Sequence, residues 1–491
     1  MEDDLELQRF LEAEGLTIKS ILPKRRCLFA TRDFIPGEVI MREEPYVCIP
    51  TCSDLPVCQR CFKSGRALLK CASCNMVWYC DAECQRLDWK LHKLECRAIS
   101  RLEKKWRELV TPEIRLLVKL LIRRKLQCEK VIPTTPIDNF SLVEAMIAHR
   151  YNMETEKVVA FEMKAEIVKQ MLQQPRLNLD EAVNTFCKIS CNAHAIVDID
   201  MEPLGTGLYP VMSIINHSCL PNAVLVFEGK LAVLRALMPV GKGDEVLISY
   251  IDLCQTTRDR WDDLNAKYHF ICSCRLCCKF DKIDDQILDA LRCKHGKCDG
   301  FLVDKHGFYS RDLKLECSKC GHVRTSEAEK RAKKKLEPLL DRAGSYLDNL
   351  KKLFFDSVVD YEGALSTYKK IEAATLDLFH PSSLSVMLVR KLLTKLHMET
   401  GDIQAALECC RLITPVRERL LQRNDPVLGR HYYLRGKLEG VKGDKEDGRD
   451  YLIRARDILE ITHGTNFPLV TELLHCERIL GHLGQGTSGR P

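Results

Sequence analysis

The sequence predicts an α+β chain: strand-rich segments interrupted by cysteine clusters and followed by a long helical tail. Three observations carry this reading. Short apolar runs separated by tight-turn signals occupy residues 16–49 and 206–250. The chain holds 26 cysteines, most of them between Cys58 and Cys96, Cys272 and Cys278, or Cys293 and Cys320. Helix-period apolar positions run through residues 325–480.

The chain of 491 residues is long enough for several domains, and its 45% hydrophobic content supports a sizeable core. A net charge of +6 is mild for this length and does not argue for nucleic acid. The start, MEDDLELQRF, lacks the basic and apolar regions of a secretory signal. No run approaches the roughly 18 apolar residues of a membrane span. An intracellular, soluble, monomeric protein is expected, in the nucleus and/or the cytoplasm. In a reducing compartment its clustered cysteines read as metal ligands rather than disulfides.

Taken in order, residues 16–49 read as strands with a turn at Ile35-Pro36-Gly37-Glu38. The first cysteine cluster follows as Cys58-x2-Cys61, Cys71-x2-Cys74, Cys80-x3-Cys84 and His92-x3-Cys96. A Cys-x2-Cys turn aims two thiolates at one ion, and a four-residue step places two ligands on one helix face. Seven Cys and one His suffice for two tetrahedral zinc ions, though spacing does not say which pairs share one. So short a segment cannot bury enough surface to fold alone, so zinc should supply much of its stability.

Residues 98–130 carry helical periodicity among Lys and Arg, continuing in pieces to about residue 188 with breaks at Pro133, Pro136 and Pro175. Strand patterns return at Val224–Phe227, Leu231–Leu234 and Val246–Ser249. Among them lies Ile215-Asn216-His217-Ser218-Cys219-Leu220-Pro221-Asn222, unusually polar for a strand region. Phe270-Ile271-Cys272-Ser273-Cys274-Arg275-Leu276-Cys277 then offers three thiols that need a fourth ligand. Adjacent Cys278 is disfavoured by geometry, leaving Cys219 or Cys254. Further on, Cys293-x4-Cys298 and Cys317-x2-Cys320 resemble a zinc ribbon, with free thiols as the alternative.

The helical tail repeats. Asp360-Tyr361-Glu362-Gly363-Ala364, Asp402-Ile403-Gln404-Ala405-Ala406 and Asp444-Lys445-Glu446-Asp447-Gly448 recur every 42 residues. Ile371 and Ile413 keep the period, and Ala455 stands at the third position. A small residue at a fixed place lets neighbouring helices approach, as in TPR-like arrays. A plain helical bundle is the competing reading.

The first cluster, down to Trp78-Tyr79-Cys80, resembles a MYND finger. The Asn216–Asn222 run, Gly243-Asp244-Glu245-Val246-Leu247-Ile248-Ser249-Tyr250 and the Cys272–Cys277 run resemble, in that order, a SET domain and its post-SET tail. Together they resemble the SMYD family, SET and MYND domain lysine methyltransferases, and among these the plant members. The resemblance implies a division into residues 1–57 (first part of SET), 58–96 (MYND finger), 97–190 (helical insert), 191–267 (core SET) and 268–280 (post-SET zinc site). Residues 285–322 (ribbon) and 325–480 (TPR-like domain) complete the chain.

The resemblance further implies methyl transfer from S-adenosylmethionine to a protein lysine. It pairs Cys58, Cys61, Cys80 and Cys84 on one zinc, and Cys71, Cys74, His92 and Cys96 on another. Cys219, Cys272, Cys274 and Cys277 would hold a third. Outside what the family resemblance implies, Cys293, Cys298, Cys317 and Cys320, in their ribbon-like spacing, would hold a fourth should they bind metal. Lys24, Arg25, Arg26, His149, Asn192, Asn216, His217, Tyr250 and Phe270 would bind the cofactor, with Tyr250 catalytic and Phe270 against the adenine. MYND fingers bind proline-containing peptides, and here such binding stands beside a purely structural role.

Two departures are expected to matter. The family's first cofactor loop is of the form GxG, whereas this chain reads Lys24-Arg25-Arg26-Cys27, with bulk at Arg25 and Cys27. His194 stands where family members carry Phe against the lysine channel, bringing a titrating group. Both departures favour the alternative of a catalytically weak MYND/TPR adaptor. Asn216, His217, Tyr250 and Phe270 favour the enzyme. The paired cysteine spacings are not those of DNA-reading C2H2 fingers.

Overall fold

The computed structural model describes residues 2–51, 55–278, 282–304, 314–325 and 360–485, with residues 334 and 338. The expectations for 326–359, apart from those two residues, and for the middle of the ribbon at 305–313 lie outside the described residues. The chain divides into two compact units, Met1–Tyr250 with Leu264–Ile271, and Ile251–Asp263 with Cys272–Pro491.

The first unit opens with helix α1 (Glu2–Ala13) and strands β1 (Leu16–Ile21), β2 (Arg25–Ala30), β3 (Val39–Glu43) and β4 (Val47–Pro50). The finger adds the short strands β5 (Leu69–Lys70) and β6 (Trp78–Tyr79), then helix α2 (Ala82–Ser100). Asp81 caps α2, its carboxylate accepting from the N–H of Cys84 at 2.7 Å. The insert consists mainly of α3 (Pro112–Cys128), α4 (Thr155–Leu172) and α5 (Leu179–Asn192). Thr111 caps α3, with Pro112 in its first turn, where a missing N–H is harmless. Leu117, Leu120, Ala165, Val168, Phe186 and Cys187 close the core of this insert.

The chain then returns to strands β7 (His194–Val197), β8 (Pro203–Leu208), β9 (Asn216–His217), β10 (Ala223–Glu228), β11 (Leu231–Ala236) and β12 (Leu247–Ile248). They form small sheets: β10-β11-β3, β4-β8-β7 and a parallel pair β12-β9, besides β1-β2 and β5-β6. Leu28, Ile40, Met41, Tyr209, Ile215, Leu234, Val246 and Ile248 share one buried cluster behind these sheets.

The strand expected over Val246–Ser249 is shorter in the fold. Asn222 accounts for this: its amide donates to Glu245 O at 2.9 Å and accepts from Leu247 N–H at 2.8 Å. A side chain bonds this edge of the segment, while on the other edge Val246 N–H donates to Leu28 O of β2 at 2.8 Å. Glu43 does similar work nearby, its buried carboxylate accepting from Val211 and Met212 N–H at 2.9 and 2.8 Å. Burial pushes that carboxyl up to about 8 despite those bonds.

In the second unit, β13 (Leu302–Asp304), β14 (Lys314–Cys317) and β15 (Val323–Thr325) form an antiparallel sheet. Helix α6 (Thr257–Tyr268) precedes the ribbon, and beyond residue 360 the described residues form an array of six helices: α7 (Tyr361–Leu378), α8 (Leu384–Glu399), α9 (Ile403–Leu420), α10 (Pro426–Lys442), α11 (Lys445–His463) and α12 (Pro468–Gln485). The 42-residue repeat has a local cause. Asp360, Asp402 and Asp444 are the N-caps of α7, α9 and α11, accepting from Gly363, Ala405 and Asp447 N–H at 2.8, 3.1 and 3.2 Å. Ala364, Ala406, Ile371, Ile413, Gly448 and Ala455 are all buried, so one capped, small-residue helix recurs three times. No helix among the described residues is long and apolar enough to cross a membrane.

Candidate functional site

The finger gathers its ligands into two groups. Cys58, Cys61, Cys80 and Cys84 form one, and Cys71, Cys74, His92 and Cys96 the other, the ligand atoms within 4.8 Å of one another in each. Cys61 and Cys80 sulfurs lie 3.4 Å apart, and those of Cys71 and Cys96 3.8 Å. Thiolates about 2.3 Å from a tetrahedral zinc stand about 3.8 Å from one another, so both groups fit the ion. The structure therefore answers the pairing that spacing left open.

The second group is braced from behind. His92 presents Nε2 toward Cys74 Sγ at 3.7 Å, while its Nδ1 meets Glu95 Oε2 at 3.0 Å. Arg115 of α3 donates to Glu95 Oε1 and to Gln59 Oε1, both at 2.9 Å. Burial opposes the charge on Glu95, yet Arg115, His92 and Lys119 hold its carboxyl down to about 2. A charged carboxylate on Nδ1 fixes the imidazole so that Nε2 faces the three thiols of its group, as a metal ligand would.

The Asn216–Asn222 run is held by β9, which lies parallel to β12 with Asn216 opposite Leu247 and His217 opposite Ile248. His217 Nδ1 accepts from the backbone N–H of Tyr250 at 3.0 Å. That backbone group can only donate, so the ring proton resides on Nε2, 3.3 Å from Cys219 Sγ. The His217 ring stands 5.4 Å from Tyr250 and 6.0 Å from Phe270. Tyr250 also meets Tyr268 at 4.7 Å, and its hydroxyl donates to Ile215 O at 2.5 Å. Burial, then the neighbouring Tyr268, Glu245 and Cys27, raise the Tyr250 phenol far above its usual range. It stays protonated at physiological pH and acts as a donor, not a base.

The loop before β2 meets this wall. Lys24 pairs with Glu245 at 2.6 Å, and the Asn216 amide donates to Glu245 Oε1 and Arg26 O at 2.9 and 3.0 Å. Arg25 occupies the left-handed region with φ +67°, the conformation for which glycine is suited. Cys27 is buried with its sulfur 3.2 Å from the Asn216 amide. His149 lies within the electrostatic reach of Arg25 and 5.3 Å from His269. Asn192 uses its amide within its own neighbourhood, donating to Ile147 O and Lys188 O at 2.9 and 2.7 Å.

His194 packs edge-on against Tyr209 at 6.0 Å and faces Gly207 across β7 and β8. A Cβ at Gly207 would lie 2.6 Å from the Tyr209 ring, so only glycine admits this packing. Burial and the charge of Lys267 push the His194 imidazole down to about 4, leaving it neutral. Its Nε2 is buried without a hydrogen-bond partner, as is that of His269. A buried ring nitrogen left without a partner is uncommon, so each of these two positions is a candidate for contact with a polar ligand. The sequence reading missed Tyr268, His269 and Glu245. The run Tyr268-His269-Phe270 was the available signal.

In the second unit, the sulfurs of Cys272, Cys274 and Cys277 lie within 4.8 Å of one another. Trp261 Nε1 donates to Cys272 O at 3.0 Å and holds the turn. Cys254 is not within that group. Cys293, Cys298, Cys317 and Cys320 form a further group.

The MYND finger family model matches residues 58–96. The chain is 41% identical over 476 residues to histone-lysine N-methyltransferase ASHR1 of Arabidopsis thaliana, covering 95% of this chain and 96% of that one. It is 31% identical over 351 residues to N-lysine methyltransferase SMYD2-A of Xenopus laevis, covering 71% and 77%. To mouse N-lysine methyltransferase SMYD2 it is 34% identical over 262 residues, covering 53% and 59%.

Proposed function

From its membership of the SMYD family of lysine methyltransferases, we propose that this chain transfers a methyl group from S-adenosylmethionine to a lysine side chain of a protein. The Arabidopsis relative is named for histone lysine and the Xenopus relative for lysine alone, so histone and non-histone proteins are both candidate substrates. Nothing in these relatives favours an adaptor. Activity in the nucleus or cytoplasm accords with such substrates.

The observation that carries the reading is the aromatic wall of Tyr250, Tyr268, His217 and Phe270, closed by a protonated Tyr250 bonded to Ile215 O. Lys24, Arg25, Arg26, His149, Asn192, Asn216, His217 and Phe270 would hold S-adenosylmethionine. When bound, it supplies an electrophilic methyl group. Making the target amine neutral costs roughly 4 kcal/mol at pH ~7.4 from a pKa of ~10.4. Apolar ring faces and the positive charge of Lys267 both disfavour an ammonium and so lower that cost. The Tyr250 hydroxyl and the Ile215 carbonyl position the amine, and the rings exclude water.

Cys219 would join Cys272, Cys274 and Cys277 as the fourth thiolate of a zinc site, as the family resemblance implies. The His217 Nε2–H beside Cys219 suits a thiolate there. The finger's two ligand groups would hold two more zinc ions and offer a surface for proline-containing peptides.

Tyr250→Phe tests the assignment. It should lower methyl transfer to protein lysine by at least about 100-fold, with calorimetric S-adenosylmethionine binding within a few-fold of wild type. Full activity in the variant would overturn the role of Tyr250. Absence of cofactor binding in the zinc-loaded wild type would overturn the enzyme reading itself.

A further inference from the structure

The cysteine set at the start of the second unit plays no part in methyl transfer, yet it is built with care. β13 pairs with β14 so that Leu302 faces Cys317 and Val303 faces Glu316. This register brings the turn bearing Cys293 and Cys298 against the turn bearing Cys317 and Cys320. Cys293 and Cys320 sulfurs stand 3.7 Å apart, as do those of Cys298 and Cys317. All four lie within 4.8 Å of one another.

These spacings discriminate between chemistries. A disulfide needs sulfurs about 2.05 Å apart. Four thiolates about 2.3 Å from one central zinc form a tetrahedron with edges of about 3.8 Å. The backbone fits the same purpose. The N–H groups of Lys319 and Cys320 point at Cys317 Sγ from 3.4 and 3.5 Å. Gly300 passes so close that a Cβ there would lie 2.7 Å from the same sulfur. Such donors stabilise a thiolate better than a neutral thiol.

We propose that Cys293, Cys298, Cys317 and Cys320 hold a structural zinc ion of their own, and that it fastens this ribbon to the first helix pair of the array. Four protein thiolates fill the tetrahedron and leave no open position for catalysis. The fastening is visible in the packing. Leu291, Cys293, Leu302 and Cys317 share one buried cluster with Leu378, Phe379 and Val386. Arg292 N–H donates to Leu378 O at 2.9 Å, and His380 N–H donates to Ala290 O at 2.8 Å. Lys294 pairs with Asp377 at 2.5 Å. A ribbon this short buries too little surface to fold alone, so metal binding supplies folding free energy. That free energy then orders the end of α7 and the start of α8. Four thiolates and a divalent ion leave a net charge near −2, beside which Lys297 stands in sequence, while Lys294 and Lys319 pair with Asp377 and Asp299.

The test compares the intact, purified chain with Cys317→Ser/Cys320→Ser, counting zinc and iron per chain by mass spectrometry. The proposal expects the variant to hold one zinc equivalent fewer, whatever the wild-type total. Hydrogen exchange should speed over residues 361–399 and stay unchanged over the finger. An equal zinc count in both proteins overturns the site, and iron in place of zinc overturns the identity of the ion. Should the variant misfold, alkylation of the zinc-loaded wild type decides. Protection of these four thiols that ends on chelation supports the site, and free reaction before chelation refutes it. Neither readout involves methyl transfer, so failure here leaves the enzyme reading untouched.

Discussion

Cys58, Cys61, Cys80 and Cys84 have three of the four partly exposed, whereas Cys71, Cys74, His92 and Cys96 are all buried. Their spacing in sequence is nearly the same. What differs is where α2 carries them. Cys84 belongs to its first turn, while His92 and Cys96 come two and three turns later, where α3 brings Arg115 up to Glu95. The ligand spacing thus marks a candidate metal site, and the surrounding helices decide how far it is braced. The buried group gains a carboxylate, a guanidinium and the Gln59 amide. For the exposed group, the support seen on α2 is its Asp81 cap.

Substitutions can break or sharpen this contrast. The largest effect belongs to Glu95→Ala, which leaves Arg115 buried without its carboxylate. It should cost about 3–5 kcal/mol in chemical denaturation, and a loss below about 1 kcal/mol would refute the bracing role. Glu95→Gln keeps the shape and removes the charge. Zinc affinity of the buried group should fall about 10–100-fold in chelator competition, with the exposed group unchanged. Asp81→Ala should cost about 1 kcal/mol and act on the exposed group alone, as site-resolved alkylation would report. Finally, a chelator should strip the exposed group several-fold faster than the buried one. Equal rates would mean that burial does not set lability here.

Much of this was legible in the residues. The paired spacings marked the ligands because a tight turn or a helical step is a local constraint. The recurring Asp residues were legible for the same reason, since each caps the helix it begins. The Asn216–Asn222 run betrayed itself by its polarity among strands.

What escaped was non-local. Gln59 meets Arg115 from 56 positions away, and no pattern in either stretch announces it. Asn222 bonds one edge of residues 245–247 while β2 bonds the other, and β12 pairs with β9 only over Leu247 and Ile248. For the loop that lacks the glycines, the sequence showed bulk at Arg25 and Cys27 but not the backbone conformation. Arg25 adopts the left-handed backbone itself, with φ +67°, so the loop keeps a shape suited to glycine at some cost in strain.

The pairing of Lys24 with Glu245 spans 221 positions, and Phe270 joins the same wall. During synthesis, the finger has all eight of its ligands as soon as residue 96 has emerged. The cofactor wall is incomplete until residue 270 has left the ribosome. On the proposed reading, a chain stalled or cleaved between these points would hold a complete set of metal ligands while lacking the wall proposed to grip S-adenosylmethionine. Metal content is therefore a poor gauge of how much of a preparation is competent enzyme.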